Sequence, residues 1–172
     1  MRSSYRVALC GVLSALAILF MLITTILPIA NYVCSVMAGI CVSIAAQEFG
    51  SRYGAAVYIA VSLLSVMIVA EKDAVIIFVL LMGMYPVLKY TINSLIRPIR
   101  IAIKLVYVNT ACFIYYFAGI YLMGVPKESF GKMPVFLLFL ANYIMIMYDI
   151  IIDKYCFIYN NKLRKIILKD KR

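Results

Sequence analysis

The sequence predicts an all-α membrane protein, a six-transmembrane-helix bundle with its N- and C-termini in the cytoplasm. Hydrophobic residues make up 66% of the 172 residues and the mean hydropathy is +1.03, whereas a soluble domain is roughly 45–50% apolar. The few charged residues, 14% of the chain, separate apolar runs close to the ~20 residues that a spanning helix needs. The runs are continuous and do not alternate, which favours helices over a barrel.

Six apolar runs cover residues 7–27, 29–47, 53–70, 74–92, 101–123 and 134–152. The first run is longer than the ~7–15 residues of a signal-peptide core and precedes no small-residue cleavage site, so we interpret it as a retained span. The segments between the runs are too short for a second folded unit. Residues 1–172 are therefore predicted to form a single transmembrane domain, with a basic cytoplasmic tail at 154–172.

Prolines mark the limits and one interruption of these spans. Pro28 ends the first span and Pro126 marks the last outer loop. Pro86 lies inside the fourth span, directly after Tyr85. Because proline lacks a backbone N–H and clashes with the preceding turn, we expect a kink there that widens one end of the bundle.

The basic residues predict the orientation, since cytoplasmic loops carry an excess of Lys and Arg. With the N-terminus inside, only Lys72, Lys127 and Lys132 of the 17 basic residues face outward. The formal net charge of +10 is then a feature of the inner side. The basic tail is predicted to contact anionic lipid, with about 1 kcal/mol of attraction for each basic residue near the surface, and no nucleic-acid partner is predicted.

Catalytic and metal chemistry have little support in the residue types. The five cysteines lie mostly within apolar runs and form neither a disulfide framework nor a metal-binding spacing. The chain has no histidine, the commonest general base and a frequent metal ligand. No glycine-rich phosphate loop occurs either. We therefore predict no enzyme activity, no metal and no cofactor.

The first span carries small residues on one helix face. Ala8, Gly11 and Ala15 follow one another at spacings of three and four residues, which places them on the same side of a helix. Such a face lets another backbone approach closely, and this kind of packing drives helix association in lipid. It predicts either packing inside the bundle or docking of a separate membrane subunit.

Polar and aromatic residues near the predicted outer side are candidate substrate contacts. Glu71 and Asp73 can also belong to a solvated loop, and tyrosines often anchor a helix at the membrane interface. Asn142 lies near the middle of its span, where an amide needs a partner across the bundle or a ligand. Tyrosine rings can stack on a planar ligand and offer it a hydroxyl. The candidates are Asn31, Glu71, Asp73, Tyr115, Tyr116 and Asn142.

A second polar group is predicted on the inner side and contains Lys89, Asn109, Asp149 and Asp153. The two aspartates share a helix face, because they are four residues apart. Charges inside a span are expensive unless they are paired, so a Lys89–Asp149 or a Lys104–Asp153 ion pair is expected. This group is interpreted as a structural network or, alternatively, as a proton relay or acid/base site.

These features resemble the S components of energy-coupling factor transporters, the substrate-binding membrane subunits of bacterial vitamin importers. The resemblance lies in the length, the six spans, the basic connection after the fourth span and the first span, with ALCGVLSALA at 8–17. It implies a binder of a vitamin or related micronutrient in the bacterial cell membrane, with the ligand in the outer half. It also implies a transmembrane coupling subunit, carrying two ATPase subunits, that docks at Gly11 and Ala15, where the commoner motif has two alanines.

Two other functions remain open at this stage. The chain is also similar in size and span count to rod-shape-determining protein D, a scaffold of the cell-wall machinery that needs no ligand. A lipid-modifying membrane enzyme would rest on Lys89, Asp149 and Asp153. Enzymes of that kind usually hold magnesium with more carboxylates than these two aspartates.

Overall fold

The chain is predominantly helical in the part that the structure, a computed structural model, describes: residues 3–27, 30–93, 95–122 and 134–159. No strand occurs in these ranges, which confirms the predicted all-α class. A π-helical segment, Phe78–Met82, connects the fourth helix to the fifth. The helices are α1 (Ser3–Ile26), α2 (Asn31–Phe49), α3 (Ser51–Ile68), α4 (Lys72–Ile77), α5 (Met84–Ile92), α6 (Arg97–Leu122) and α7 (Pro134–Ile158).

Five helical stretches in the described ranges are long and apolar enough to cross a membrane. They are α1, α2, α3, the stretch Lys72–Ile92 and most of α6, and they coincide with the first five predicted spans. The sixth predicted span falls on α7, a helix of 25 residues. Several predicted features lie outside the described residues, namely Pro28, Pro126, Lys127, Lys132 and the basic tail from residue 160 onward.

The chain divides into two compact units. The first comprises Met1–Thr91 and Ile150–Arg172, and the second comprises Ile92–Asp149. Helix α7 therefore belongs to the second unit up to Asp149 and to the first unit from Ile150 onward.

The first unit packs around α2, which is rich in small residues and is buried along most of its length. Helix α1 contributes a buried stripe at helical spacing that includes Leu13, Ala17 and Met21. Helix α3 approaches α2 closely: a Cβ atom added to Gly54 would lie 2.5 Å from the Cβ of Ala46. The small side chains bring backbones together, which is how helices associate without a hydrophobic driving force in lipid.

The interruption of the fourth span lies upstream of Pro86. The amide of Gly83 donates to the carbonyl of Phe78 (2.7 Å), and the Tyr58 hydroxyl donates to the carbonyl of Val79 (3.0 Å). A Cβ atom on Gly83 would lie 2.8 Å from the Tyr58 ring, so glycine provides the space for that ring. Pro86 lies in the first turn of α5, where a missing N–H is tolerated.

The second unit contains α6 and the N-terminal part of α7, and few of its described side chains are buried. The buried apolar side chains of its described helices include Val108 and Ala111 of α6 and Met145 and Tyr148 of α7. Much of the remaining surface of both helices exposes large apolar side chains. Among the described residues, the contacts that join α6 to α7 include the polar contacts of the candidate site.

Candidate functional site

The small-residue face of α1 is exposed. Ala8, Gly11 and Ala15 all lie on the surface, and nothing lies within 4 Å of a Cβ atom built on Gly11. The stripe with Leu13 and Ala17 packs into the first unit instead. Of the two interpretations of this face, packing inside the described part of the chain does not account for it.

Three of the predicted substrate contacts lie at one end of the first unit. Asn31 is the first residue of α2, Glu71 directly precedes α4, and Asp73 lies in the first turn of α4. The Ser35 hydroxyl donates to the Ala74 carbonyl (3.3 Å) and joins the N-terminal parts of these two helices. The N-terminal parts of α2 and α4 are therefore in contact. Asn31 lies four residues before Ser35, and Glu71 and Asp73 lie within three residues of Ala74 along the chain.

The environment of these residues is partly buried and partly polar. All three are half-buried. The Oδ1 atom of Asn31 is buried and accepts no hydrogen bond from the described residues. The neighbouring Lys72 donates to the carbonyls of Val66 (3.1 Å) and Val69 (2.9 Å), beside the C-terminus of α3, where the helix dipole favours a positive charge. Lys72 is thus a helix cap and not a free cation in this loop.

In the second unit, Asn142 of α7 finds a partner across the two helices. Its Nδ2 atom donates to the Leu138 carbonyl (2.8 Å) and, over 3.4 Å, to Oδ1 of Asn109 on α6. The Nδ2 atom of Asn109 donates to the Leu105 carbonyl (2.9 Å). Asn109 was predicted to belong to the inner polar group, but its contact is with Asn142. The Oδ1 atom of Asn142 is buried and, among the described residues, has no hydrogen-bond donor.

The two candidate tyrosines lie further along α6. Tyr115 is half-buried and Tyr116 is exposed. The ring of Tyr116 packs edge-to-face on Phe117, with centroids 5.8 Å apart, and Phe117 packs in turn on Phe113 at 4.8 Å. Phe113, Tyr116 and Phe117 thus form an aromatic cluster along their own helix. The six candidates divide equally between the two units: Asn31, Glu71 and Asp73 in the first, and Tyr115, Tyr116 and Asn142 in the second.

The predicted ion pairs, Lys89–Asp149 and Lys104–Asp153, are wrong, because each lysine pairs with the other aspartate. Lys89 pairs with Asp153 (2.7 Å) in the first unit, and Lys104 pairs with Asp149 (2.6 Å) in the second. The distance of each residue from the end of its helix explains why the partners differ from the prediction. Lys104 and Asp149 lie about two turns or more from the ends of α6 and α7, whereas Lys89 and Asp153 lie between about one and one and a half turns from the ends of α5 and α7.

The pairing neutralises both carboxylates, which keeps charges inside a helical bundle at low cost. The Lys104–Asp149 pair is half-buried on both sides, with side-chain exposures of 22% and 25%, whereas the Asp153 side chain is 68% exposed. Asp153 also lines an open groove of 410 Å³ on the C-terminal part of α7, together with Ile150, Lys154, Phe157 and Ile158.

Sequence reasoning missed a set of buried hydroxyl groups in the first unit. Thr24, Ser35 and Ser65 are fully buried. Thr24 donates to the Met21 carbonyl (2.7 Å), whereas the Ser65 hydroxyl has no hydrogen-bond partner among the described residues. Thr24 and Ser65 continue the buried stripes of α1 and α3 at helical spacing, and this spacing is the signal that would have identified them.

No three His, Cys, Asp or Glu side chains of the described ranges lie close enough to hold a metal ion. Protein-family models, curated proteins and solved structures give no match to this chain. The functional assignment therefore rests on the chain's own residues: an exposed small-residue face on α1, acceptor groups at the starts of α2 and α4, and an amide pair between α6 and α7.

Proposed function

We propose that the protein is the substrate-binding subunit of an importer of the energy-coupling factor type, for a vitamin or a related micronutrient. In this proposal it lies in the bacterial cell membrane and docks through α1 on a transmembrane coupling subunit that carries two ATPase subunits. The observation that carries the proposal is the exposure of Ala8, Gly11 and Ala15 on one face of α1.

An exposed face of this kind is suited to a partner helix more than to lipid. The bulky residues Leu63 and Met67 dominate the exposed face of α3, where they are 64% and 82% exposed. On α1 a Cβ atom built on Gly11 meets nothing within 4 Å, and small residues at helical spacing are the usual means of close helix association in membranes. The adjacent exposed Val12 and Leu16 add apolar contact area.

The proposed topology has six spans and both termini in the cytoplasm, with α7 as the sixth span. A helix of 25 residues is about 37 Å long at 1.5 Å per residue, which exceeds the ~30 Å thickness of the hydrocarbon core. The ion pairs of Asp149 and Asp153 reduce the penalty of their charges in such a helix. The distribution of Lys and Arg supports the orientation.

Ligand binding is proposed to involve the outer candidates. Asn31 and Asn142 each keep a buried carbonyl oxygen without a donor from the described residues. Leaving a buried polar atom unpaired costs about 1–3 kcal/mol, and a donor group on the ligand would recover this free energy. The other proposed contacts are Glu71 and Asp73 in the first unit, and Tyr115 and Tyr116 in the second.

The docking surface is tested by purifying the tagged protein from its native membrane in mild detergent and identifying the associated proteins by mass spectrometry. We expect a coupling subunit with two ATPases. The double variant Gly11→Leu/Ala15→Leu should reduce its recovery at least about tenfold, because two leucines prevent close backbone approach. Ala60→Leu, on the exposed surface of α3, adds the same side chain elsewhere and should leave recovery unchanged.

Other experimental results would favour one of the two alternative functions. Recovery of cell-wall proteins in place of a coupling subunit would favour a scaffold similar to rod-shape-determining protein D. Altered membrane lipids in an Asp149→Asn strain would favour a lipid-modifying enzyme. For the importer, the cognate micronutrient at ~100 times its dissociation constant should stabilise the purified protein by about 2.7 kcal/mol. A full vitamin screen without any thermal shift would contradict ligand binding.

A further inference from the structure

The connection between α5 and α6, together with the first turn of α6, presents arginine and aliphatic side chains on the surface. We define the basic-apolar patch as Leu95, Ile96, Arg97, Ile99 and Arg100. Leu95, Ile96 and Ile99 are exposed, Ile96 to 69%. Arg97 is exposed as well and Arg100 is half-buried. Apolar side chains of this size beside basic groups are typical of segments that lie at the boundary between lipid headgroups and acyl chains.

The two arginines are not neutralised by acidic residues in the described part of the chain. Arg100 donates from Nη1 to Oδ1 of Asn93 (2.9 Å), which is a neutral partner. Arg97 has no hydrogen-bond or ion-pair partner among the described residues. The basic residues on either side differ, because Lys89 and Lys104 each pair with an aspartate. The patch therefore presents two uncompensated positive charges.

The position of these charges is unfavourable within the protein itself. Both arginines lie in the first turn of α6, and that turn contains no acidic residue. The N-terminus of a helix carries partial positive charge, so it favours anions and disfavours cations. Three residues apart, Arg97 and Arg100 lie on the same side of the helix, where their guanidinium groups can share one phosphate.

We infer that the basic-apolar patch binds an anionic phospholipid, with its phosphate held between Arg97 and Arg100 and its acyl chains beside Leu95, Ile96 and Ile99. A phosphate supplies the negative charge that both the arginines and the first turn of α6 lack. A lipid, unlike a free phosphate, also covers the exposed aliphatic side chains. The site depends neither on the leaflet that it faces nor on the importer function.

The absence of tryptophan from the chain allows a direct test in the full-length protein. Ile96→Trp places one tryptophan in the patch. The variant is reconstituted into nanodiscs of four parts phosphatidylcholine to one part phosphatidylglycerol, with bromine on the acyl chains of either the anionic lipid or an equal amount of the zwitterionic lipid. We expect the brominated anionic lipid to quench the tryptophan at least about threefold more strongly, given two uncompensated arginines at an anionic surface.

Charge variants in the Ile96→Trp background locate the interaction. We define the quenching ratio as quenching by the brominated anionic lipid divided by quenching by the brominated zwitterionic lipid. Arg97→Gln/Arg100→Gln should reduce this ratio to about one. Arg97→Gln alone alters an exposed side chain without a partner and should lower the ratio by about half, whereas Arg52→Gln, an exposed arginine on α3, should leave it unchanged. A ratio of one in the parent, or a ratio that survives the double substitution, would overturn the inference. Loss of the preference on adding millimolar glycerol phosphate would do so too, because a free anion would then be the occupant.

Discussion

The two units of the protein are held together in different ways. In the first unit, 56% of the residues in the most apolar 18-residue segment of α2 are buried. The buried residues of α2 include many small side chains. In the second unit, the corresponding share of α6 is 11%. Its contacts include an ion pair between Lys104 and Asp149 and an amide contact between Asn109 and Asn142.

This difference shows two solutions to one problem. Lipid tails are as apolar as the side chains that they surround, so burial of apolar surface contributes little to helix association in a membrane. Close packing and polar contacts remain, and the first unit relies mainly on close packing, whereas the second relies more on polar contacts. Changes in side-chain size should therefore damage the first unit most, and changes in polarity should damage the second.

The cysteines allow each unit to be followed separately. Cys41 is buried in α2 and Cys112 is half-buried in α6, and both are free thiols. Variants that retain only Cys41 or only Cys112 can be heated in detergent with a thiol-reactive fluorophore. The temperature at which each thiol becomes reactive then reports the unfolding of its own unit.

The largest effect is expected from Gly54→Ala in the first unit. The added Cβ atom would lie 2.5 Å from the Cβ and 2.9 Å from the Cα of Ala46, so the backbones of α2 and α3 must separate. Overpacking of this kind costs about 3 kcal/mol. The labelling temperature of Cys41 should fall accordingly.

Gly11→Ala is the matched control for this substitution. Gly11 faces open space on α1, and alanine is a better helix former than glycine by about 1 kcal/mol. This variant should be neutral or slightly more stable. Equal destabilisation by the two substitutions would show that close packing of α2 and α3 is not what holds the first unit.

The next largest effect is expected from substitutions in the ion pairs. They compare the half-buried Lys104–Asp149 pair with the more exposed Lys89–Asp153 pair. Asp149→Asn removes the carboxylate that pairs with the half-buried Lys104 and should destabilise the second unit by about 2 kcal/mol, less than for a fully buried pair. Asp153→Asn removes a 68% exposed carboxylate and should cost about 0.5 kcal/mol. Thermal labelling of Cys112 and of Cys41 measures the respective losses.

A double substitution separates the charge from the space that it occupies. Lys104→Met/Asp149→Leu replaces the pair by apolar side chains and should recover most of the stability, because no buried charge is left alone. Failure of this rescue, together with equal losses for Asp149→Asn and Asp153→Asn, would mean that the Lys104–Asp149 pair has no special role in the second unit.

The helices themselves follow from the sequence to a large extent. The starts of α1, α2, α3 and α6 lie within about four residues of the predicted spans, because a run of some 20 apolar residues specifies a spanning helix by local composition alone. Helix α7 extends to Ile158, past the predicted end at 152. Its apolar run stops at Asp153 and Lys154, but charged residues do not end a helix.

The features that were not predicted depend on contacts between helices. Gly83 and the π-helical segment before it accommodate the ring of Tyr58, a residue from a different helix. The correct ion pairs depend on the relative depth of helices that are far apart in sequence. Periodicity also did not show which face of α1 is exposed, because lipid-facing and buried positions in a membrane have similar hydrophobicity.

The smallest effect is expected from the amide pair, and it tests whether Asn142 serves the fold or a ligand. The Asn142–Asn109 contact is long, at 3.4 Å, and interhelical hydrogen bonds in membrane proteins contribute about 0.6 kcal/mol on average. A double-mutant cycle with Asn142→Leu and Asn109→Leu, read by Cys112 labelling, should give a coupling energy of about that size.

The unpaired Oδ1 atom of Asn142 predicts a separate result for the ligand. If that oxygen accepts a hydrogen bond from the micronutrient, Asn142→Leu should reduce stabilisation by the ligand far more than Asn109→Leu does, although both break the same interhelical contact. Equal reductions would assign Asn142 to the packing of α6 and α7 alone. The polar contacts of the second unit would then be structural, and the proposed ligand contacts would be limited to the other five candidates.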